Sequence, residues 1–338
     1  MRIIPILLLA AAGLLQGPAG AQTLRIYAID VEGGKSTLYV SPSGESMLVD
    51  TGYAGNNHRD ANRIASAAAA AGVKRIDYLV ITHYHPDHAG GAPELAAKLP
   101  IGRVFDHGDN FEPSVKKTQA AFELYTALRK KYPHTVVHPG DTIPIQGLRV
   151  DVVAAAGKAI ASPLPGAGKA NPLCASYQAL EADPGENAHS IAMILTFGSL
   201  RISDLGDLYW NQEHDLVCPD NNLGTVDIYM TTHHGTATSG SPQMVHALHP
   251  KVAIMNNGAD KGGSIKALTT IHHSPGLEDL WQLHFSNAAG KDLNTPEQFI
   301  ANPSAENDGG YAIEISAQID GTFTVRNDRN RFEKTYHK

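Results

Sequence analysis

Runs of apolar residues divide the chain into two halves with a similar order of elements. In the first half, short apolar runs between glycine- and proline-bearing turns predict strands, and apolar residues at helical spacing predict helices. The strand candidates lie at residues 24–29, 36–40, 47–49 and 76–82. The helix candidates lie at residues 60–71, 92–99 and about 113–132. Gly72 follows the alanine-rich first helix and favours its termination.

Residues 157–186 are rich in glycine, proline, alanine and serine without clear periodicity, which predicts a long surface loop between the halves. Beyond it, two apolar runs joined by Gly198-Ser199 predict a hairpin at 190–203. Further strands are expected at residues 226–231, 252–255, 312–316 and 323–325, with a helix at 275–283. Strands followed by helices, twice over, predict two mixed sheets packed face to face with helices outside.

The most informative segment is residues 82–91, Thr-His-Tyr-His-Pro-Asp-His-Ala-Gly-Gly. His83 and His85 leave a predicted strand two residues apart, so their imidazoles are expected on the same side. Pro86 ends the strand, and Asp87 and His88 turn back across the same opening. Two nitrogen ligands for one metal thus accompany an oxygen and a nitrogen ligand for a second. Zinc accepts this mixture of imidazole and carboxylate.

The N-terminus predicts export. Residues 1–21 resemble a signal peptide, with a basic start, an apolar run from Ile3 to Leu15 and the cleavage site Ala19-Gly20-Ala21. The apolar run is too short to span a bilayer comfortably, although an uncleaved anchor is the alternative. Residues 22–338 are then expected to form a single domain, periplasmic or secreted, with no transmembrane helix.

Charge and cysteine content narrow the class of partner. The formal net charge of −7 argues against a surface that coats nucleic acid, although a local groove could still be basic. Cys174 and Cys218 are the two cysteines, and in an oxidising compartment they could pair or remain apart. The sequence predicts no oligomeric state.

Four motifs in order resemble those of the metallo-β-lactamase-fold hydrolases. They are Val49-Asp50-Thr51-Gly52, the His-x-His-x-Asp-His signature of residues 83–88, Gly206-Asp207 and Thr232-His233-His234-Gly235. Residues 29–34, Ile-Asp-Val-Glu-Gly-Gly, and the His-His-Gly are most similar to the hydrolase domain of competence DNA-uptake proteins and their stand-alone relatives. The resemblance implies an α/β (α+β) fold, a four-layer αββα sandwich with one or two zinc ions at its edge.

The resemblance also implies a ligand set. The expected ligands are His83, His85, Asp87, His88, His189, Asp207 and His233. Asp207 is expected to bridge two ions. Asp50 is expected to support a ligand or the local structure rather than to bind a metal ion directly. His107, His134 and His138 compete with His189 for its place, and His234 competes with His233. The histidine of that pair that does not bind is expected to contact substrate or orient a ligand.

Metal-assisted hydrolysis is the implied reaction, because bound zinc lowers the pKa of its water from about 16 to about 7 and supplies hydroxide. Mn²⁺ or Fe²⁺ could replace zinc. Asp87, Asp207 and His234 are the expected catalytic residues. The expected substrate is a small or cell-wall phosphodiester or phosphate ester. The alternatives are a lactam or lactone hydrolase and a non-catalytic metal-binding module of the envelope.

Overall fold

The computed structural model describes residues 23–304 and 309–338; the predicted signal peptide at 1–21 lies outside these residues. Two nine-stranded sheets pack face to face, and helices cover both outer surfaces. This αββα arrangement confirms the predicted fold class. Among the described residues, no helix is both long enough and apolar enough to cross a membrane.

The strands, in chain order, are β1 (Thr23–Ala28), β2 (Thr37–Val40), β3 (Ser46–Val49), β4 (Ile76–Val80), β5 (Ile101–Asp106), β6 (His134–Val136), β7 (Thr142–Ile143), β8 (Arg149–Ala155), β9 (Lys158–Ala159), β10 (Lys169–Ala170), β11 (Ala192–Phe197), β12 (Leu200–Asp204), β13 (Asp220–Asn221), β14 (Ile228–Met230), β15 (Val252–Met255), β16 (Asp279–His284), β17 (Ile300–Asn302), β18 (Ile313–Gln318), β19 (Phe323–Asn327) and β20 (Glu333–Tyr336). The α-helices are α1 (Arg59–Ala70), α2 (Pro86–Ala89), α3 (Ala92–Ala96), α4 (Lys116–Arg129), α5 (Trp210–Val217), α6 (Pro242–Leu248), α7 (Ile265–His272) and α8 (Gly290–Leu293).

Each sheet has an antiparallel part and a parallel part. The first sheet runs β20-β19-β18-β1-β2-β3-β4-β5-β6, and β3 to β6 are parallel. The second runs β17-β16-β15-β14-β12-β11-β8-β7, with β9 paired to β8, and its parallel strands are β12 and β14 to β17. The carboxyl ends of parallel strands share one edge, so residues that follow them collect there.

Alternation along the strands fills three apolar layers. In β2, Tyr39 faces the layer between the sheets, while its neighbour Leu38 packs toward α1 and α4. In β14, Ile228 and Met230 face the inner layer, and Tyr229 packs under α5, α6 and α7. Successive strand side chains point to opposite faces, so both sides of each sheet are buried.

Most predicted strands and the helices at 60–71 and 113–132 are confirmed, as is the hairpin of β11 and β12. The helix predicted at 275–283 is wrong, because Asp279–His284 forms β16 between two parallel neighbours. Its apolar run is buried on both faces, and such a run cannot be told from a helix by periodicity alone.

The segment 157–186 lies mostly at the surface and is tied to the second half by a disulfide. Cys174 and Cys218 are joined, and Cys218 directly follows α5. Tyr177 also stacks on His214 of α5 with ring centroids 4.0 Å apart. The last three strands return to the first sheet, so the halves are interlocked rather than consecutive.

Candidate metal centre

The first group of candidate ligands follows β4, where the chain leaves the first sheet. Thr82 donates its backbone N–H (2.8 Å) and its hydroxyl (2.7 Å) to the carboxylate of Asp50, which follows the neighbouring β3. Pro86 begins the one-turn helix α2, a position where no N–H donor is needed. This turn carries Asp87 and His88 back toward the strand ends.

The second group follows β12 and β14 of the other sheet. Asp207 comes after Gly206, whose φ is +57° and where a Cβ would lie 2.8 Å from the Ser190 Cβ. His233 and His234 both have left-handed backbones, with φ of 52° and 57°. These strained turns aim side chains across the gap between the sheets.

Four residues from the two groups form one buried cluster, which we call the carboxylate cluster: Asp87, His88, Asp207 and His234. One ligand atom from each lies within 4.8 Å of the others. The Nε2 atoms of His88 and His234 lie 3.2 and 3.3 Å from Asp207 Oδ2. His234 Nε2 is also 3.3 Å from Asp87 Oδ2.

His83 and His85 form a neighbouring pair, which we call the imidazole pair. His83 Nε2 lies 3.1 Å from His85 Nδ1 and 4.0 Å from Asp207 Oδ2. Asp207 is thus the carboxylate within reach of both groups, the position that a bridging ligand would take.

The donor set fits divalent metal ions that accept nitrogen and oxygen ligands. Imidazole and carboxylate together suit zinc, manganese or iron. Asp207 Oδ1 is buried and accepts no hydrogen bond from residues 23–304 or 309–338. A buried carboxylate oxygen without a donor is costly, and a cation at this point would satisfy it.

Electrostatics in the cluster keep the carboxylates ionised. Burial would raise the pKa of Asp207, but the neighbouring histidines, His88 foremost, hold it well below its ordinary value. The same opposition, again with His88 dominant, lowers the pKa of Asp87. Burial lowers the pKa of His83 well below its ordinary value, so this imidazole stays neutral at neutral pH.

The histidines of both groups are held through their other ring nitrogen. His88 Nδ1 lies 2.8 Å from Asp50 Oδ2, and the Asn256 amide lies 2.9 Å from His234 Nδ1. On the other side, His85 Nε2 lies 3.0 Å from a carboxylate oxygen of Glu112, and His83 Nδ1 lies 3.3 Å from the Ser190 hydroxyl. Such partners fix the ring orientation and tune the basicity of metal-ligating histidines.

Residues 29–159 match the family described as the metallo-beta-lactamase superfamily. The chain carries a metallo-beta-lactamase superfamily domain. The superfamily predicted from the sequence is confirmed, and the predicted metal-dependent hydrolase class agrees with it.

Two relatives are longer proteins, and their matching regions span most of this chain. It is 25% identical over 245 residues to ComE operon protein 3 of Bacillus subtilis, covering 68% of this chain and 28% of the relative. It is 25% identical over 257 residues to Recombination protein 2 of Haemophilus influenzae, covering 75% of this chain and 26% of the relative. The predicted likeness to competence proteins is confirmed, and the chain spans little more than a quarter of their length.

Among solved structures, the chain is similar to the metallo-beta-lactamase fold protein YhfI from Bacillus subtilis. The TM-score is 0.48 at 11% identity, covering 77% of this chain and 96% of that chain.

His189 does not join the candidate metal centre, contrary to the sequence prediction. Its Nδ1 lies 2.6 Å from the Gly185 carbonyl, and its ring stacks on Phe111 with centroids 3.6 Å apart. The next residue, Ser190, faces the centre through its hydroxyl. His189 was expected directly before a strand that begins at Ser190, but it ends a short 3₁₀ turn, and β11 begins only at Ala192.

The geometry brings His234, rather than the predicted ligand His233, closest to the other candidate ligands. His234 lies in the carboxylate cluster, whereas His233 lies beside it, with Nε2 3.5 Å from Asp207 Oδ2. His233 Nδ1 contacts the Ser239 hydroxyl at 3.0 Å, and Tyr209 stacks on its ring. His233 therefore contacts the cluster from one side, whereas His234 lies inside it, between Asp87 and Asp207.

The alternative histidines are engaged elsewhere. His107 Nε2 lies 3.0 Å from Glu186, and His134 Nε2 lies 2.8 Å from Asp106. His138 lies in the turn after β6, where its backbone N–H donates to Asp141. None of the three belongs to the cluster defined by the described residues.

Sequence reasoning missed several side chains that contact the candidate ligands: Glu112, Ser190, Asn256 and Lys261. It also missed Tyr53, which contacts Lys261. One signal could have found Asn256 and Lys261. Both follow β15, a parallel strand whose carboxyl end reaches the same edge as those of β12 and β14.

Proposed function

We propose that this chain is a metal-dependent hydrolase of phosphodiester or phosphate-ester bonds. One observation carries the proposal: Asp207 Oδ2 lies within 4.0 Å of imidazole nitrogens from both the carboxylate cluster and the imidazole pair. That geometry suits a two-ion centre, which stabilises both the attacking and the leaving oxygen of a phosphoryl group.

The residues divide between two ions. His83 and His85 would hold one, Asp87, His88 and His234 the other, and Asp207 both. Zinc is the proposed ion, with Mn²⁺ or Fe²⁺ as alternatives. When bound, such ions polarise a phosphoryl oxygen and activate water at neutral pH. The protein orients the donors, because other side chains contact the second ring nitrogens of His88, His234 and His85.

His233 is the proposed proton-handling residue. Burial lowers its pKa to about 4, so its imidazole is neutral at neutral pH and can accept a proton. The Ser239 hydroxyl at Nδ1 and the stacked Tyr209 hold the ring with Nε2 toward Asp207. The sequence analysis expected His234 to be catalytic; the proposal gives a catalytic role to its neighbour His233 instead.

We propose that the chain works outside the cytoplasm, in the periplasm or secreted. The Cys174–Cys218 disulfide supports this, since such bridges persist in oxidising compartments. A substrate of the cell envelope would then be accessible, and the formal charge of −7 argues against long nucleic acid as the main ligand.

A substrate panel tests the reaction class. The metal-loaded chain 22–338 is assayed with bis-p-nitrophenyl phosphate, a chromogenic cephalosporin and a lactone, before and after chelation. The proposal expects turnover of the phosphodiester that chelation abolishes and added metal restores. Turnover of the cephalosporin or lactone alone would assign a cyclic amide or ester substrate. Silence throughout, with metal bound, would assign a binding module.

A further inference from the structure

The positively charged side chain of Lys261 lies at the solvent-facing side of the candidate centre. Its Nζ donates to Asp87 Oδ2 and, at 3.1 Å, to the hydroxyl of Tyr53. These contacts join residues 174 and 208 positions apart in the chain. The Lys261 side chain is nonetheless 39% exposed, so the ammonium lies between the buried carboxylate and solvent.

Hydrogen bonds hold the backbone around Lys261 against the Thr-His-His-Gly motif of residues 232–235. The Lys261 carbonyl accepts from Gly258 N (2.9 Å), which closes a tight turn after β15. Two residues on, Gly263 N donates to the His234 carbonyl at 2.9 Å. Lys261 is therefore positioned by the same backbone that positions His234.

Two glycines in the loop between β1 and β2 make room for the lysine and the tyrosine. A Cβ on Gly33 would lie 3.0 Å from the Lys261 Cβ, and one on Gly34 would lie 3.3 Å from Cε2 of Tyr53. Tyr53 is fixed in turn, because its backbone N–H donates to Asp60 Oδ2 at 2.7 Å. The surrounding residues therefore fix the positions of both side chains.

The lysine has donor capacity beyond these contacts. An ammonium carries three N–H donors, and Asp87 and Tyr53 account for two of them among the described residues. A ligand at the centre that carries its own negative charge would meet the third donor at the solvent side. Charge-assisted hydrogen bonds of this kind are about twice as strong as neutral ones.

We propose that Lys261, supported by Tyr53, binds a non-bridging phosphoryl oxygen of the substrate and selects anionic phosphoesters. The inference rests on the proposed phosphoester hydrolysis and names a residue that recognises its substrate. The competing role is purely structural: Lys261 would neutralise Asp87 and contact no ligand.

Phosphate binding separates the two roles without requiring turnover. Inorganic phosphate is titrated calorimetrically into the zinc-loaded chain, and zinc content and Tm are measured on the same samples. Lys261→Met is expected to weaken phosphate binding about tenfold or more, because one charge-assisted contact is lost. Zinc content should match the wild type, and Lys261→Arg should retain most of the binding.

Lys251→Met is the matched control. Lys251 precedes β15 at the opposite end of the strand and pairs with Glu278, so the variant removes the same charge away from the centre. Its phosphate affinity should equal that of the wild type. Tyr53→Phe, which removes one contact to Nζ, should weaken phosphate binding less than Lys261→Met.

Wild-type phosphate affinity in Lys261→Met would overturn the proposal, and so would loss of zinc from that variant, which would show the structural role. Acetate titrated in parallel separates a phosphoryl from a carboxylate ligand. Loss confined to acetate would contradict the phosphoryl assignment. If the wild type binds phosphate through Lys261 yet cleaves no phosphoester, the proposed function fails while the anion site stands.

Discussion

The carboxylate cluster and the imidazole pair lie side by side, yet they differ in ligand type, burial and support. The cluster combines two carboxylates with two imidazoles, and all four residues are buried. The imidazole pair contributes no carboxylate of its own, and the His85 side chain is 22% exposed. A cation in the cluster would be neutralised on site, whereas one at the pair depends on Asp207.

The supporting contacts follow the same division. In the cluster, His88 rests on Asp50, a fully buried carboxylate that also accepts two hydrogen bonds from Thr82. At the pair, His85 rests on Glu112, which is partly exposed, and Ser190 occupies the position where a third imidazole was predicted. We therefore expect an ion in the carboxylate cluster to bind more tightly than an ion at the imidazole pair.

Asp207 joins the two parts, so removing it should have the largest effect. Asp207→Ala is expected to reduce turnover of bis-p-nitrophenyl phosphate to background and to lower the zinc content at both positions. Asp87→Ala should also abolish turnover. Asp151→Ala, in β8 of the same sheet and paired with Arg149, is the control and should keep both zinc and activity. Full activity in metal-loaded Asp207→Ala would refute the bridging role.

Substitutions of His233 and His234 should have different effects on metal content and turnover. His234→Ala removes a cluster ligand and is expected to lose one zinc ion per chain, as measured by mass spectrometry under native conditions. His233→Ala should retain both ions and lose turnover instead, because its imidazole lies beside the cluster. The reverse pattern would restore the assignment made from the sequence.

Asp50→Asn tests the support behind the cluster. The variant keeps the shape of the side chain but weakens the partner of His88 Nδ1. Loss of such a partner typically costs about 10–100-fold in metal affinity. Zinc affinity, measured by competition with a chelator, should fall in this range for the tighter ion.

Glu112→Gln is the counterpart on the imidazole pair and should affect the weaker ion alone, near the lower end of that range. Equal effects of the two variants on both ions would remove the distinction between the cluster and the pair.

The last prediction concerns stability rather than metal binding, at the loop that supports His233. Glu213 is buried and accepts backbone hydrogen bonds from Gly240 and Ser241, next to Ser239. Burial raises its pKa from 4.5 to about 7. Between these values the folded chain binds more protons than the unfolded chain, so the free energy of unfolding falls as pH rises.

Glu213→Gln removes this proton linkage. The unfolding free energy of the wild type, relative to the variant, should fall by about 3 kcal/mol between pH 4.5 and pH 8. Urea unfolding of the metal-free proteins at both pH values measures the difference. Parallel pH dependence of the two proteins would show that Glu213 does not titrate in this range.

The parts of the centre that are contiguous in sequence could be predicted, because strand periodicity and one proline turn determine where His83, His85, Asp87 and His88 point. Side chains in irregular turns could not. His233 and His234 are adjacent residues with left-handed backbones, so no periodicity indicates which one faces inward.

Contacts between residues far apart in the chain could not be predicted from the sequence either. Ser190 was missed in favour of its neighbour because a 3₁₀ turn shifts the start of β11. Lys261 reaches Asp87 only after the sheets pack, through a contact between residues 174 positions apart. The predicted helix at 275–283 failed for a similar reason, since pairing with β15 and β17 makes its apolar run a strand.

An equilibrium zinc titration of the metal-free chain, in competition with a chelator and with bis-p-nitrophenyl phosphate turnover followed at each step, tests the central claim most directly. Two ions binding in unequal steps are predicted, with turnover appearing as the weaker position fills. One ion, none, or two equal steps would contradict a centre made of a tight carboxylate cluster and a weaker imidazole pair.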